Sequence, residues 1–387
     1  MTEIPLRYGC NPNQGAARVV SPNGKHPPLR VLNGEPSYIN ILDALTGWQL
    51  VRELAATTGK TAAASYKHVS PAGAALAAPI DAAFARSQWL EGTPTDPATQ
   101  AYVRARGADR VSSFGDAVAV SAPVTVELAR YLKLEVSDLV IAPGYHSEAL
   151  ELVRSKKRGA YLVLEIDADF QPPELERRDV FGFALEQTRN KLTVDRALFD
   201  PQGHLSDEVV ESLIVATTAL KYAQSNAVCV AWHGQVIGLG AGQQSRIHCT
   251  RIACEKAERW MLQTHPRVLE LEFRAELSRP ERSNAVQQFI NWEQLSEQER
   301  NQLRDLLPTE PRPLTREERV HWFAQFGDLC LSSDAFIPFR DNIDRAARTG
   351  IRFVAHAGGA ARDEGVRAAA REHGVTVIET GARFFLH

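Results

Sequence analysis

The stretch AAASYKHVSPAGAA (62–75) decides how the chain is read. A run of small apolar residues ends in Lys67-His68, and Ser70-Pro71 then has the form of a helix N-cap followed by proline at the first helical position. Strand, turn and helix in that order make the repeating unit of α/β construction. Working outward, TAAASY (61–66), LVIA (139–142), AYLVLEI (160–166), AVCVAWHGQVI (227–237), IRFVA (351–355) and VTVIE (375–379) read as strands. Helical spacing fits 42–58, 72–90, 98–107, 207–223, 244–264 and 361–373. The expected fold class is α/β. No short repeat is visible, which argues against a solenoid. Residues 270–325 differ: they are rich in Glu, Arg, Gln and Pro, with Phe289, Trp292, Leu295 and Leu303 at amphipathic spacing. They read as a helical insertion covering a neighbouring face, or alternatively as a solvated helical connector.

At roughly 150 residues per domain, 387 residues suggest two or three domains. An apolar content of 44% with 24% charged residues excludes disordered, collagen-like and disulfide-stapled chains. Lys and Arg total 44 against 47 Asp and Glu, a net charge of -3 with a pI near 6.4. No global basic field exists, so nucleic acid is not an expected partner. Five cysteines (10, 229, 249, 254 and 330) lack framework spacing. No apolar run is long enough for a membrane span, and MTEIPLRYG has no apolar signal core. The expectation is a soluble, reduced, cytoplasmic protein without a membrane partner.

Three segments could carry chemistry. At Lys67-His68 an ammonium and an expected helix terminus both disfavour added positive charge on the imidazole, leaving His68 able to accept a proton beside a stabilising cation. Taken alone, the pair reads more simply as a partly exposed dipeptide of no consequence. In KYAQSNAVCVAWHGQVIGLGAGQQSRIHCTR (221–251), Gly238, Gly240 and Gly242 permit tight turns before Ser245-Arg246, which suggests an anion site at a helix start. A glycine-rich hairpin turn explains the same residues. In SSDAFIPFRDNIDRA (332–346), Phe336, Pro338 and Phe339 offer flat apolar surface near Asp341, suited to a fused-ring ligand or to a capped core loop. No His-x-Glu or Cys-x-x-Cys motif supports a metal site, and no Gly-x-Ser-x-Gly elbow supports a serine hydrolase.

Read in order, these segments resemble the transformylase portion of the bifunctional purine-synthesis enzymes, which act on 5-aminoimidazole-4-carboxamide ribonucleotide (AICAR). LRYGCNPNQ (6–14), LNGEPSYINILDAL (32–45), RARGADRVSSFGD (104–116), EVSDLVIAPGY (135–145) and ARFFLH (382–387) carry the likeness with the three segments above. The resemblance implies Lys67, His68 and Asn226 in catalysis. It implies Arg7, Tyr8, Asn40, Phe114, Gly115, Asp138, Arg246, Phe336, Arg383 and His387 around the nucleotide. The co-substrate, 10-formyltetrahydrofolate, would meet Ile247, Phe336, Pro338, Asp341, Ala360 and Ala361. The implied fold is two cytidine-deaminase-like three-layer units interleaved in sequence, without catalytic zinc. The first would span 1–169 with the 264–324 insertion, and the second 170–263 with 325–387. The resemblance further implies a homodimer with active sites at its interface. Because the family's N-terminal cyclohydrolase region has no counterpart here, the expected activity is formyl transfer alone, with inosine monophosphate cyclohydrolase supplied separately. Cys10 and Asn13 depart from the family's motif, which would tune the phosphate-side loop. The competing expectations are a formyltransferase for another amino-azole and a non-catalytic sensor of AICAR or folate.

Overall fold

Two hairpins in the middle of one mixed sheet organise the chain. The computed structural model describes residues 3–21 and 27–387. Its strands are β1 (Glu3–Leu6), β2 (Ala17–Val20), β3 (Leu29–Asn33), β4 (Ala62–Lys67), β5 (Ser70–Leu76), β6 (Asp116–Val120), β7 (Ser137–Ala142) and β8 (Leu162–Ile166). They continue with β9 (Leu175–Val180), β10 (Phe183–Thr188), β11 (Val228–Trp232), β12 (Gln235–Gly240), β13 (Leu329–Ser333), β14 (Ile351–His356) and β15 (Thr376–Glu379). Eleven of these form a sheet in the order β15-β14-β13-β11-β12-β5-β4-β6-β7-β8-β3, while β1-β2 and β9-β10 form separate hairpins.

The order contains one pattern twice. Hairpin β4-β5 is followed by β6 antiparallel to β4, then β7 and β8 in parallel. Hairpin β11-β12 is followed by β13 antiparallel to β11, then β14 and β15 in parallel. The halves join where β5 and β12 run antiparallel at Gln235 and Ala75. Buried Arg104 spans this seam, donating to the carbonyls of Leu76 and His233. Gln235 donates in turn to the carbonyl of Arg104 at 2.8 Å.

Side-chain alternation along the strands produces three layers. Ala62, Ala64, Tyr66, Ala74 and Cys229 pack against helices Tyr38–Thr58 and Asp207–Lys221. Ala63, Ala75, Val118, Val140 and Val230 face the opposite layer, which includes helices Pro97–Gly107 and Arg246–Gln263. Helices between Pro266 and Phe323 gather Val268, Ala285, Phe289, Leu303 and Leu314 into a small core of their own, reached by Leu262.

Three expectations need correction. The helix expected over 72–90 does not begin at Ser70: residues 70–76 are β5, and the nearest helix is Ala82–Ser87. AGAALAA has no polar face that a surface helix would need, and the two-residue turn before it sends the chain back along β4. The run 227–237 is not one strand but a hairpin turning at His233 and Gly234, whose φ values are 47° and 69°. Finally, Gly238 and Gly240 do not form an anion-binding loop. They sit in β12, where an added Cβ would lie 2.1 Å from the carbonyl oxygen of Ala253 and 2.3 Å from that of Cys249. Gly73 in β5 meets helix Pro97–Gly107 in the same way, 2.1 Å from the carbonyl oxygen of Ala105.

Close approach of helix to strand is therefore the reason for these glycines. Gly73→Ala should lower unfolding free energy by about 1–3 kcal/mol or more through overpacking. Gly92→Ala, where no atom lies within 4 Å, should change it by less than about 0.5 kcal/mol. Urea unfolding of both variants checks this, and equal midpoints would contradict it.

Candidate active site

Strand direction gathers the candidate residues at one end of the sheet. The pairing of Gln235 with Ala75 places the β4-β5 turn at the same end as the loops entering β11 and leaving β12. Because Val228 pairs with Ser333, the segment following β13 also lies there, with those following β14 and β15. Tyr66 pairs with Ala117, and Asp116 with Ser137, so Gly115, just before β6, and Asp138, second in β7, lie at this end too. Two contacts tie the halves together. Gln224 N–H donates to Ser70 Oγ at 3.3 Å, and Tyr66 hydroxyl donates to the carbonyl of Tyr222.

His68 and Val69 are the two central residues of the β4-β5 turn, with φ of 54° and 56°. Positive φ at both positions is the type I′ arrangement, usually filled by Asn and Gly. Neither residue is glycine, and for β-branched Val69 the conformation is a marked outlier. Left-handed backbone costs about 1–2 kcal/mol per such residue. The compensation comes from Asp43, one turn into helix Tyr38–Thr58. Its Oδ2 accepts the N–H of His68 at 3.1 Å, and its Oδ1 accepts that of Val69 at 2.7 Å. Hydrogen bonds to a charged acceptor contribute about 1.5–3 kcal/mol each, enough to offset the strain. Burial raises the Asp43 carboxyl above its ordinary range, against the pull of those two N–H groups and the charges of His68 and Lys67. The helix terminus expected beside His68 is absent, and the residue's backbone is held by this carboxylate instead.

Lys67 is half-buried, and its ammonium donates to the carbonyl of Phe114 at 2.5 Å. The His68 side chain is exposed. Gly115, with φ of 74°, donates to the carbonyl of Val136 at 2.9 Å and stands against the Asp138 carboxylate, which pairs with Lys157 at 2.7 Å. Beneath this loop lies a buried charge network that motif reading did not foresee. Arg106 donates to Ser113 carbonyl at 2.7 Å and to Asp116 at 2.8 Å, and both Arg106 and Arg110 reach Glu135. Burial alone would raise Glu135, but Arg110, Arg106 and Arg279 hold its carboxyl down at about 2.

The second half contributes a different cluster. Arg246 begins helix Arg246–Gln263 and is buried. It pairs with Asp334, donates to Ser333 Oγ at 2.8 Å and to Asn226 Oδ1 at 2.6 Å. Its charge is thus met inside the protein by the Asp334 carboxylate. Asn226 Nδ2 donates to the carbonyls of Gln243 and Gln244, and the Cys249 thiol donates to Asn226 carbonyl at 3.0 Å. The C-terminal segment closes on the same loop. Ser225 N–H donates to Leu386 carbonyl at 3.0 Å, and Phe384 N–H to Asp334 carbonyl at 2.8 Å. Arg383 and His387 are exposed, their side chains both near the ring of Phe385. Arg7 is also exposed, above the ring of Tyr8. Neither Arg7 nor Arg383 has a carboxylate partner among the described residues. Asn40 closes the capping box of helix Tyr38–Thr58, accepting from Ser37 N–H at 3.1 Å.

The residues expected around the co-substrate also converge. Phe336 is 41% exposed, Pro338 is half-buried, and Asp341 opens helix Asp341–Arg348. His356 Nδ1 accepts Ile337 N–H at 3.2 Å, tying this loop to Ala360 and Ala361. Asp363 holds that second loop by accepting Gly359 N–H at 2.7 Å and Ala360 N–H at 3.0 Å. Ile247 lies on the adjoining helix, which Thr250 links to Asn342 at 2.7 Å. Asp43, Asp334, His356 and Asp363 were not singled out from the sequence, because each acts on residues distant along the chain or through backbone N–H groups. Among the described residues, no group of three or more His, Cys, Asp or Glu is placed to hold a metal ion. No helix among them is long and apolar enough to cross a membrane.

An exposed histidine next in sequence to a lysine with an anchored ammonium thus stands at the end of a doubled α/β sheet to which the candidate segments of both halves return. The chain belongs to the AICARFT/IMPCHase bienzyme family, whose model matches residues 1–256. It is 32% identical over 389 residues to the bifunctional purine biosynthesis protein PurH of Roseobacter denitrificans, a match covering 99% of this chain and 59% of that protein. To PurH of Persephonella marina it is 28% identical over 387 residues, with the same coverage. The chain therefore spans 59% of the length of these curated relatives, whose names place them in purine biosynthesis.

Two outcomes test this wiring. Asp334→Asn leaves Arg246 buried and unmatched, so unfolding free energy should fall by about 3–5 kcal/mol. An unchanged denaturation midpoint would contradict the pairing. Glu135 titrates lower when folded than its ordinary value of 4.5, so its contribution is present above that value and lost as pH falls towards about 2. Thermal unfolding should show stability falling through that window, with a flatter pH dependence in Glu135→Gln; the same slope in both proteins would count against it.

Proposed function

We propose that the protein moves the formyl group of 10-formyltetrahydrofolate onto the 5-amino group of AICAR, giving FAICAR and tetrahydrofolate in purine biosynthesis. The observation that carries this reading is the exposed His68 imidazole, fixed on its turn next to the Lys67 ammonium. Membership of the family supports the choice of reaction.

The amine of AICAR is conjugated with its imidazole ring and opposed by the carboxamide, so it is a weak nucleophile. Its attack on the formyl carbon forms a C–N bond and a tetrahedral species with a cationic nitrogen and an anionic oxygen. Loss of the nitrogen's proton to His68 makes that step productive, a contribution of about 10²–10⁴-fold. The Lys67 ammonium stabilises the oxygen, for about 10²–10³-fold. The oxyanion then re-forms the carbonyl as the bond from carbon to N10 of the folate breaks, and N10 leaves as a neutral amine by taking up the proton held on His68. Arg7 and Arg383 anchor the phosphate through guanidinium forks, while Arg246 acts through Asn226 to shape the wall of the site. Phe336 and Pro338 receive flat rings, with Asp341 accepting ring N–H donors.

We read the two halves of the sheet as cytidine-deaminase-like units, with approximate limits of 1–169 plus 264–324 and 170–263 plus 325–387. We also propose a homodimer with active sites at its interface. The β9-β10 hairpin supports this, because a lone two-stranded ribbon is marginal in water. It carries Phe183, Leu185 and Val180 uncovered, with Phe181 99% exposed at its tip. Five unpaired thiols agree with a cytoplasmic location.

The test is a spectrophotometric assay of tetrahydrofolate release from purified protein, AICAR and 10-formyltetrahydrofolate. Release is expected, and His68→Ala should lower turnover by at least about 10²-fold while nucleotide binding changes little. No release from protein that binds both ligands would overturn the reading in favour of a sensor.

A further inference from the structure

We infer that Asp43 is the positioning residue for the catalytic imidazole: its carboxylate holds the His68-Val69 turn in the conformation that presents His68. The inference rests on the proposed reaction and goes beyond it, because Asp43 touches no reacting group. Its two oxygens are taken by the N–H groups of His68 and Val69, one each, at 3.1 and 2.7 Å. Asp43 is buried, on a helix whose start is fixed by the Ser37–Asn40 capping box. The acceptor is therefore rigid, whereas the turn it holds is strained at both central residues. An Asn-Gly turn would keep this shape unaided, but catalysis requires histidine at the first position. The carboxylate supplies what the turn's own residues do not.

Asp43→Asn tests this in the full-length protein. An amide offers one oxygen, and its NH₂ group faces an N–H it cannot accept from. With the turn released, the imidazole leaves its working position, and kcat should fall about 10²-fold, as expected for a displacement near 1 Å. KM for AICAR should stay within about threefold, since Arg7 and Arg383 are untouched. Val69→Gly alone should keep kcat within about threefold of wild type. Added to Asp43→Asn, it should restore at least about tenfold, because glycine accepts positive φ without strain. A charge acting directly on the chemistry would not be replaced by a glycine. Failure of Val69→Gly to restore any activity, or a wild-type kcat in Asp43→Asn, would overturn the inference.

Amide hydrogen exchange on the wild-type protein provides a readout that needs no variant to fold and no activity. The His68 and Val69 amides, although at a hairpin tip, should exchange more slowly than the amide of exposed His233, the first central residue at the tip of the other central hairpin. Exchange at an equal or faster rate would overturn the clamp. Absence of formyl transfer by the wild type would instead overturn the proposed reaction, and the positioning role with it.

Discussion

Two backbone N–H groups aimed at one buried carboxylate set the geometry at the working end of this protein. The left-handed turn at His68 and Val69 is disfavoured for the residues that occupy it, and Asp43 is the acceptor that makes it tenable. Placement of the proposed catalytic imidazole is thereby transferred from the hairpin itself to helix Tyr38–Thr58, which packs across β4 and β6 on one face of the sheet. Side chains supported by a helix through backbone hydrogen bonds are held more rigidly than those on a free loop. The carbonyl of Phe114 plays the matching part for Lys67, and the Arg106–Asp116–Glu135 network beneath it keeps that loop in place.

The doubled sheet explains why the site can draw on such scattered parts of the chain. In the first half the contributing residues stand where β6 and β7 begin; in the second they follow the ends of β13, β14 and β15. Antiparallel joining of β5 to β12 brings these two kinds of strand end to the same side. Each hairpin also carries a glycine against a helix backbone, Gly73 in one and Gly238 in the other, so the two helices of that layer approach the seam equally closely. One half offers the imidazole, the ammonium and Arg7. The other offers Asn226, the aromatic shelf and Arg383.

Much of this was legible in the amino-acid order, for reasons that differ by element. Long helices such as Asp207–Lys221 and Arg246–Gln263 announce themselves by period and caps, and family motifs point to Lys67 and His68. The β5 strand was hidden because alanine and glycine have little strand preference, while Ser-Pro imitates a helix start. Short strands such as β6 and β13, inside motif-rich segments, leave no alternation to detect. Gly238 and Gly240 suggest a ligand loop until the helix they admit is seen. Asp43 and Asp334 have no local signature, since their partners lie 25 and 88 residues away.

What remains is whether the imidazole held by this turn meets the nucleophile. A crystal of the protein with AICAR bound answers that directly. The account predicts the 5-amino nitrogen within hydrogen-bond reach of the His68 ring, about 3 Å, with the phosphate between Arg7 and Arg383. A ribotide whose heterocycle lies beyond reach of both His68 and Lys67 would contradict it.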